Sequence, residues 1–164
     1  MTDTLKVARG PASDPFGQFK AECENLLREA YSNLQKTDKK RFPELDLAPT
    51  LEDPPNPDFG HLASSLSFEL ARVQKTKPMV IAREMVDELN KTKAHHLVES
   101  VQAAEPGYVN FRANVRNLAQ LTLKAVLQEA STYGLLKTEQ PHRIIVEHTS
   151  ANPARPIHIG TAKN

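Results

Sequence analysis

The sequence contains few of the residues that mark disulfide-bonded or membrane-spanning proteins. It has one cysteine, Cys23, and no tryptophan, and no apolar run reaches the ~18 residues of a membrane span. A single cysteine excludes an intramolecular disulfide and is typical of a reducing cytoplasm. Cys23 lies among apolar residues at helical spacing, which indicates a core position. Because the N-terminus lacks a charged-then-apolar signal pattern, we expect a cytoplasmic protein with no membrane association.

Neither sign of charge is in excess. The 21 Lys and Arg residues balance 20 Asp and Glu residues, which leaves a formal net charge of +1. Such a chain has no overall positive field, so any nucleic-acid binding requires local patches. Glycine is scarce, with 6 glycines against 12 prolines, which indicates stiff connections. A chain of 164 residues can form one globular domain with a further segment attached.

Four segments carry apolar residues at the three- and four-residue spacing of an amphipathic helix. Ser13 or Asp14 can cap the first helix, with Pro15 in its first turn. Gly134 is placed to end the last helix. The predicted helices cover residues 15–34, 62–74, 78–89 and 115–127.

Alternating apolar and polar residues predict short strands. Residues 97–101 and 108–112 form a hairpin-like pair, and a last strand is expected at 144–146. Prolines exclude regular helix from 36–57 but allow a short strand at 46–51. The order of elements predicts an α+β fold, in which a small antiparallel sheet packs with about four helices.

The most specific motif lies near the end of the chain. A β-branched run at 144–146 precedes Glu-His-Thr-Ser-Ala-Asn-Pro at 147–153 and Pro-Ile-His-Ile-Gly at 156–160. A strand, a small-residue turn and a His-x-Gly at a helix start can hold nucleotide phosphates. These residues resemble the first strand and HIGH motif of class I aminoacyl-tRNA synthetases, specifically the arginyl-tRNA synthetases. Asp-Phe-Gly at 58–60 and Pro-Gly-Tyr-Val-Asn-Phe at 106–111 resemble that family's extra N-terminal domain.

The resemblance implies the N-terminal part of an enzyme that attaches arginine to its tRNA with ATP and Mg²⁺. We expect a flexible tail at 1–13 and a tRNA-binding domain at 14–133. Residues 134–164 are expected to form a linker and the first strand and HIGH-like turn of a truncated Rossmann-type domain. Because such a domain needs further strand–helix units, we expect the chain alone to be inactive and without bound cofactor. We also expect it to be a monomer.

The resemblance also implies catalytic roles for three residues of the HIGH-like motif. His158 would stabilise the charge that develops on the α-phosphate of ATP. Gly160 would let backbone and nucleotide approach closely. Thr161 stands where the family pattern has its second histidine, and its hydroxyl is shorter and carries no positive charge. The sequence departs here from the family's activation chemistry.

Four residues ahead of this motif are implied to bind substrates. Glu147, Ser150 and Asn152 would contact arginine, since a carboxylate suits a guanidinium or ammonium group. Arg155 would reach the phosphates of ATP, and the alternative is a plain surface arginine. All four assignments come from the resemblance.

Tyr108 and Asn110 are the candidates for tRNA contact. They lie two residues apart on a predicted strand, so both project from one face. The ring can stack on an unpaired base and the amide can read a base edge, and the resemblance implies that they bind the D-loop at the tRNA elbow. The alternative is a half-buried tyrosine beside a solvent-facing asparagine. Val109 and Phe111 alternate to the opposite face and are predicted to be core.

Other polar residues have structural interpretations as well as functional ones. Residues 59–61 are expected to open a helix, with Phe59 as a staple, Gly60 at an unusual backbone angle and His61 in the first turn or touching RNA. His95-His96 lacks a third ligand at zinc spacing, so no metal site is predicted. The basic residues that are either phosphate contacts or a solvated surface are Lys36, Lys39, Lys40, Arg41, Lys75, Lys77 and Arg83.

Three alternatives to a synthetase fragment stay open. The chain could be a free-standing RNA-binding module, or a protein-interaction domain without an RNA role. Among enzymes, the alternative is another class I nucleotidyl transferase. The spacing of Glu147, Ser150 and Asn152 argues against the last of these.

Overall fold

Helices and short strands alternate along the chain and build two layers. The computed structural model describes residues 14–43, 49–91 and 95–134. The described helices are α1 (Pro15–Thr37), α2 (Leu66–Gln74), α3 (Pro78–Leu89) and α4 (Val115–Glu129), with short 3-10 turns at Pro57–Phe59 and Ala130–Thr132. The described strands are β1 (Leu51–Glu52), β2 (Leu62–Ser64), β3 (Val98–Ala104) and β4 (Tyr108–Ala113).

The four strands form one antiparallel sheet in the order β1-β2-β4-β3. The strand β4 is therefore central, and Phe111 pairs with Leu62 of β2 on one side and Val101 of β3 on the other. Helices against an antiparallel sheet confirm the predicted α+β class. The hairpin expected from residues 97–101 and 108–112 is also present, as β3 and β4.

One face of the sheet is sealed by helices. Val109, Phe111 and Ala113 of β4 are fully buried and pack with apolar residues of α1 and α3. The helical side of this core is formed mainly by Phe19, Cys23, Leu27, Ile81 and Met85. Side chains along a strand alternate between faces, so Tyr108, Asn110 and Arg112 project from the other side.

Side-chain caps explain where the longer helices begin. Asp14 Oδ1 accepts a hydrogen bond from the Gly17 amide at 2.9 Å, and Pro15 occupies the first turn of α1. Asn114 Oδ1 accepts from the Asn117 amide at 3.1 Å at the start of α4. Each bond satisfies an amide that has no partner within the helix. The sequence predicted α1, α3 and α4 correctly, although α1 continues to Thr37. The expected end of α4 at Gly134 is wrong, because the helix ends at Glu129 with Ala130 as its C-cap.

The predicted helix at 62–74 is wrong in its first residues. Leu62, Ala63 and Ser64 form β2 and pair with β4, and α2 begins only at Leu66. A short apolar run fits a strand as well as a helix, and pairing with a central strand decides between them. His61 consequently precedes a strand and does not lie in a helical turn.

Gly60 is required where the chain enters β2. Its φ of 116° falls in a region that L side chains rarely adopt, and a Cβ there would lie 2.6 Å from the Phe111 carbonyl oxygen. The unusual backbone angle predicted for Gly60 is confirmed.

Several predictions fall outside the described residues. These include the tail at 1–13, residues 46–48 of the strand expected at 46–51, and the strand expected at 144–146 with the Rossmann-type segment that follows. In the described remainder of the 46–51 segment, the strand begins only at Leu51. Among the described helices, none is both long and apolar enough to cross a membrane.

Replacing Phe111 by alanine should lower the free energy of unfolding by about 3–5 kcal/mol, because it leaves a cavity at the centre of the core. Urea denaturation measures this difference. Leu127, which is 81% exposed, provides the control: Leu127→Ala should change stability by about 0.5 kcal/mol or less. Equal effects of the two substitutions would contradict the assignment of Phe111 to the core.

Cys23 should resist alkylation in the folded protein. The thiol is fully buried, and desolvation by this burial, with a further contribution from the Glu22 charge, raises its pKa. The reactive species is the thiolate, so iodoacetamide at pH 8 should modify Cys23 only after unfolding in urea. Mass spectrometry of the native protein would contradict this if it showed modification at the rate of free cysteine.

Candidate nucleic-acid interface

The face of the sheet opposite the helices carries a row of four residues, one from each strand. Asn110 of β4 pairs with Ala63 of β2 and Gln102 of β3, and Ala63 pairs with Glu52 of β1. Cross-strand partners lie side by side on the same face. The small Ala63 side chain leaves space beside the Asn110 amide.

This space is a groove of about 170 Å³. A cavity of about 150 Å³ holds one benzene molecule, so the groove is large enough for a single aromatic ring. It is smaller than the roughly 300–1,000 Å³ of sites for drug-sized ligands. The groove is lined by Glu52, Asp53, Pro54, Pro55, Phe59, Ala63, Ala104, Glu105, Tyr108 and Asn110.

One wall of the groove is a proline-rich segment anchored to β4. The side chain of Asn56 accepts from the Asp58 amide at 2.9 Å and so closes the 3-10 turn. Arg112 Nη2 then donates to the Asp58 carbonyl at 2.7 Å, and the His61 amide donates to the Phe111 carbonyl at 2.8 Å. These bonds hold Phe59 beside the sheet with half of its surface exposed.

The opposite wall is the β3–β4 turn, which presses against α2 and α3. The Gly107 amide donates to the Ala104 carbonyl at 2.8 Å, and Ser67 Oγ donates to the Gly107 carbonyl. A Cβ on Gly107 would lie 2.5 Å from Cβ of Pro78 at the start of α3, so glycine is required for this approach. The turn is thereby fixed in place.

Tyr108 follows this turn and is 37% exposed. Its ring packs edge-on against Phe68 of α2, with 5.0 Å between the ring centroids and an interplanar angle of 63°. The Phe68 ring thus holds the Tyr108 ring in place at the edge of the groove, and part of the Tyr108 side chain remains exposed to solvent. This geometry suits stacking on a further planar group.

Asn110 differs from its prediction. The sequence predicted a solvent-exposed amide, but the side chain is only 6% exposed because the groove walls enclose it. Its Oδ1 atom has no hydrogen-bond partner in the described part of the chain. A buried polar atom without a partner costs about 1–3 kcal/mol. An oxygen in this position can accept a hydrogen bond from a group that enters the groove.

The groove has an acidic lining. Glu52, Asp53 and Glu105 all contribute to it, and no lysine or arginine lines it among the described residues. Carboxylates accept hydrogen bonds from amino groups and repel phosphates. The groove therefore suits an uncharged ring with exocyclic donors and disfavours a phosphate.

Two residues that the sequence suggested for RNA contact have structural roles instead. Arg41 forms an ion pair with Glu84 at 2.8 Å, donates to Gln74 Oε1 at 3.1 Å, and lies over the Phe42 ring. His61 Nδ1 accepts from the Ala113 amide at 3.1 Å. Both side chains link elements of the fold, so neither is a good candidate for RNA contact.

The structure describes no metal site. Within residues 14–43, 49–91 and 95–134, no group of three His, Cys, Asp or Glu side chains could hold a metal ion. The residues implied to act in catalysis or substrate binding lie outside the described residues, and their roles stay predictions: Glu147, Ser150, Asn152, Arg155, His158, Gly160 and Thr161.

Sequence reasoning missed the walls of the groove. Phe68 lies between Leu66 and Leu70, off the apolar stripe that predicts this helix, so no local pattern singles it out. The prolines at 54 and 55 were interpreted only as helix breakers. Their role depends on pairing between β2 and β4, which a local pattern does not specify.

Together these features define an α+β domain with helices on one face of its sheet and a small groove on the other. A family model described as the arginyl-tRNA synthetase N-terminal domain matches residues 21–113. The chain belongs to this family.

Curated relatives of the chain are named arginine–tRNA ligases. The arginine–tRNA ligase of Methanobrevibacter smithii is 38% identical over 159 residues, covering 97% of this chain and 24% of the relative. That of Thermococcus sibiricus is 33% identical over 149 residues, covering 91% and 22%. The chain thus spans about a quarter or less of these proteins. A solved structure of Thermus thermophilus arginyl-tRNA synthetase aligns with a TM-score of 0.42 and 27% identity, over 86% of this chain and 21% of that one.

Replacing Asn110 by leucine, which has a similar shape, should leave the free energy of unfolding unchanged or raise it by about 1 kcal/mol. The substitution removes a buried amide whose oxygen lacks a partner among the described residues. Ser67→Ala is the matched control, since it deletes a buried hydroxyl that has a partner and should cost about 1–3 kcal/mol. Urea denaturation measures the free energy of unfolding of both variants. A loss for Asn110→Leu as large as that for Ser67→Ala would show that the amide has a structural role.

Proposed function

We propose that the groove binds one unpaired base of the tRNA D-loop, at the elbow of the molecule. One observation carries this proposal: the Asn110 amide is buried, has an unpartnered oxygen, and lines a groove of single-ring size beside a partly exposed tyrosine. A base supplies both a flat surface and a hydrogen-bonding edge. It therefore matches both features of the groove at once.

In this proposal the base leaves its loop and stacks on Tyr108. Single-stranded loops are the usual targets of sequence-specific RNA recognition, because their bases can be splayed out and stacked on aromatic rings. The Asn110 amide can turn to offer either a donor or an acceptor to the base edge. The carboxylates of Asp53 and Glu105 would accept from exocyclic amino groups.

Family membership supports the tRNA as the partner. The relatives are named arginine–tRNA ligases, and we propose that the full-length protein attaches arginine to its tRNA at the expense of ATP with Mg²⁺. The described domain would contribute tRNA binding, and the chain alone would not catalyse the reaction. His158 and the neighbouring motif residues would act in the remainder of the enzyme.

Replacing Tyr108 by alanine should weaken tRNA binding by about 1–3 kcal/mol, or roughly 5- to 150-fold, through the loss of one stacking interaction. Fluorescence titration at one stated salt concentration measures this, since affinity for RNA depends on salt. Tyr133→Ala is the matched control, because Tyr133 is also 37% exposed but does not line the groove. It should bind as the unsubstituted protein does.

A double-mutant cycle that combines the Tyr108→Ala substitution with an altered tRNA tests the proposed base contact directly. Removing the correct D-loop base, to leave an abasic site, should weaken binding to the unsubstituted protein and have little effect on the Tyr108→Ala variant, since the two changes delete the same contact. Additive losses would contradict the proposed contact. Unchanged tRNA affinity in a Tyr108→Ala, Asn110→Ala double variant would favour a protein-interaction domain instead.

A further inference from the structure

We infer that the junction between α2 and α3 binds the phosphate backbone of the RNA strand whose base enters the groove. The junction is defined by three exposed cationic residues, Arg72, Lys75 and Lys77. This inference rests on the proposed function, and it assigns the backbone of the same strand to a second surface.

Contacts place the junction next to Tyr108. Pro78, the residue after Lys77, lies against Gly107, and Gly107 directly precedes Tyr108. On the other side of the junction, Phe68 packs on the Tyr108 ring. Arg72 lies four residues after Phe68 on α2, and residues four apart are neighbours on one helix face. Arg72 therefore neighbours the residue that packs on Tyr108, and Lys77 directly precedes the residue that contacts Gly107.

The cations at this junction form no ion pair with another described residue. Within the described residues, the ion pairs join Arg28 to Glu24, Arg41 to Glu84 and Lys91 to Glu88, so none involves the junction. The acidic residue on α2 is Glu69, three positions before Arg72, and it is a member of none of these ion pairs. Unpaired cations at one exposed place attract an anion.

The backbone at Lys75 gives a second reason to assign a role to its side chain. Lys75 has a φ of 52° and ends α2 in the left-handed conformation, with its amide donating to the Ala71 carbonyl. Glycine is the usual residue at such a helix end because it adopts this conformation without strain. Lysine supplies a charge here that glycine lacks. The adjacent Thr76 amide also donates to the Ala71 carbonyl, at 3.0 Å, so the turn is fixed.

The groove and the α2–α3 junction carry residues of opposite charge. The groove is lined by Glu52, Asp53 and Glu105, whereas Arg72, Lys75 and Lys77 lie on the α2–α3 side. A nucleotide has the complementary pattern, with an uncharged base and an anionic phosphate. This arrangement orients the strand, with the base in the acidic groove and its phosphates along the cationic junction.

The test is the salt dependence of tRNA binding. The slope of log K against log salt concentration should fall by about 0.7–0.9 for each phosphate contact that is lost. We expect this reduction for Arg72→Gln and for Lys77→Gln, and a larger one for the triple variant with Lys75→Gln. Lys20→Gln and Lys124→Gln are the matched controls, since both lysines are exposed but lie on α1 and α4 of the helical layer. Slopes in the junction variants equal to those of the controls would overturn the inference and leave a solvated surface.

Failure of this inference can be separated from failure of the proposed function. Tyr108→Ala should lower the affinity with the slope unchanged, because a ring carries no charge. If Tyr108→Ala has this effect and the junction variants have none, the base contact stands and the phosphate contact fails. If the junction variants reduce the slope and Tyr108→Ala has no effect on affinity, the base contact fails.

A tRNA with a neutral methylphosphonate beside the recognised D-loop base locates the contact. It should reduce the slope for the unsubstituted protein and produce no further reduction in the Lys77→Gln variant. Additive reductions would place the Lys77 contact elsewhere on the tRNA and overturn the inference that one strand uses both surfaces.

Discussion

Burial of the inner face of β4 is the constraint on which the rest of the structure depends. Val109, Phe111 and Ala113 are sealed among helices, and each intervening side chain must then point to the other face. A register shift of one residue would expose the core residues and bury Tyr108 and Arg112. The core therefore fixes the position of the candidate site, although it shares no side chain with it.

The groove and the α2–α3 junction combine features that hydrophobic burial alone does not favour. Asn110 has an enclosed amide with an unpartnered oxygen, carboxylates line the groove, and Lys75 adopts a left-handed backbone. Each feature costs stability or repels a phosphate when considered alone. Together they match the proposed binding of a nucleotide, and local departures from the most stable choice are expected at functional sites.

Much of the fold follows from the sequence because local signals and tertiary contacts agree there. Helix spacing, the cap at Asp14 and the alternation around Phe111 each predicted what the structure shows. The helix predicted over residues 62–64 is wrong because two apolar residues followed by Ser64 carry no period, and their pairing with β4 is a long-range contact. The face on which Asn110 lies was predicted correctly from strand alternation. Its burial was not, since the wall that encloses it comes from the proline-rich segment more than fifty residues earlier in the chain.

The central claim is that a tRNA base completes the hydrogen bonding of the Asn110 side chain. The most direct measurement is the nuclear magnetic resonance signal of that side-chain amide during titration with arginine-accepting tRNA. The account predicts a large shift of the Asn110 signal on binding, and little shift when the recognised D-loop base is absent. An Asn110 amide that stays unchanged while other signals report tRNA binding would contradict it.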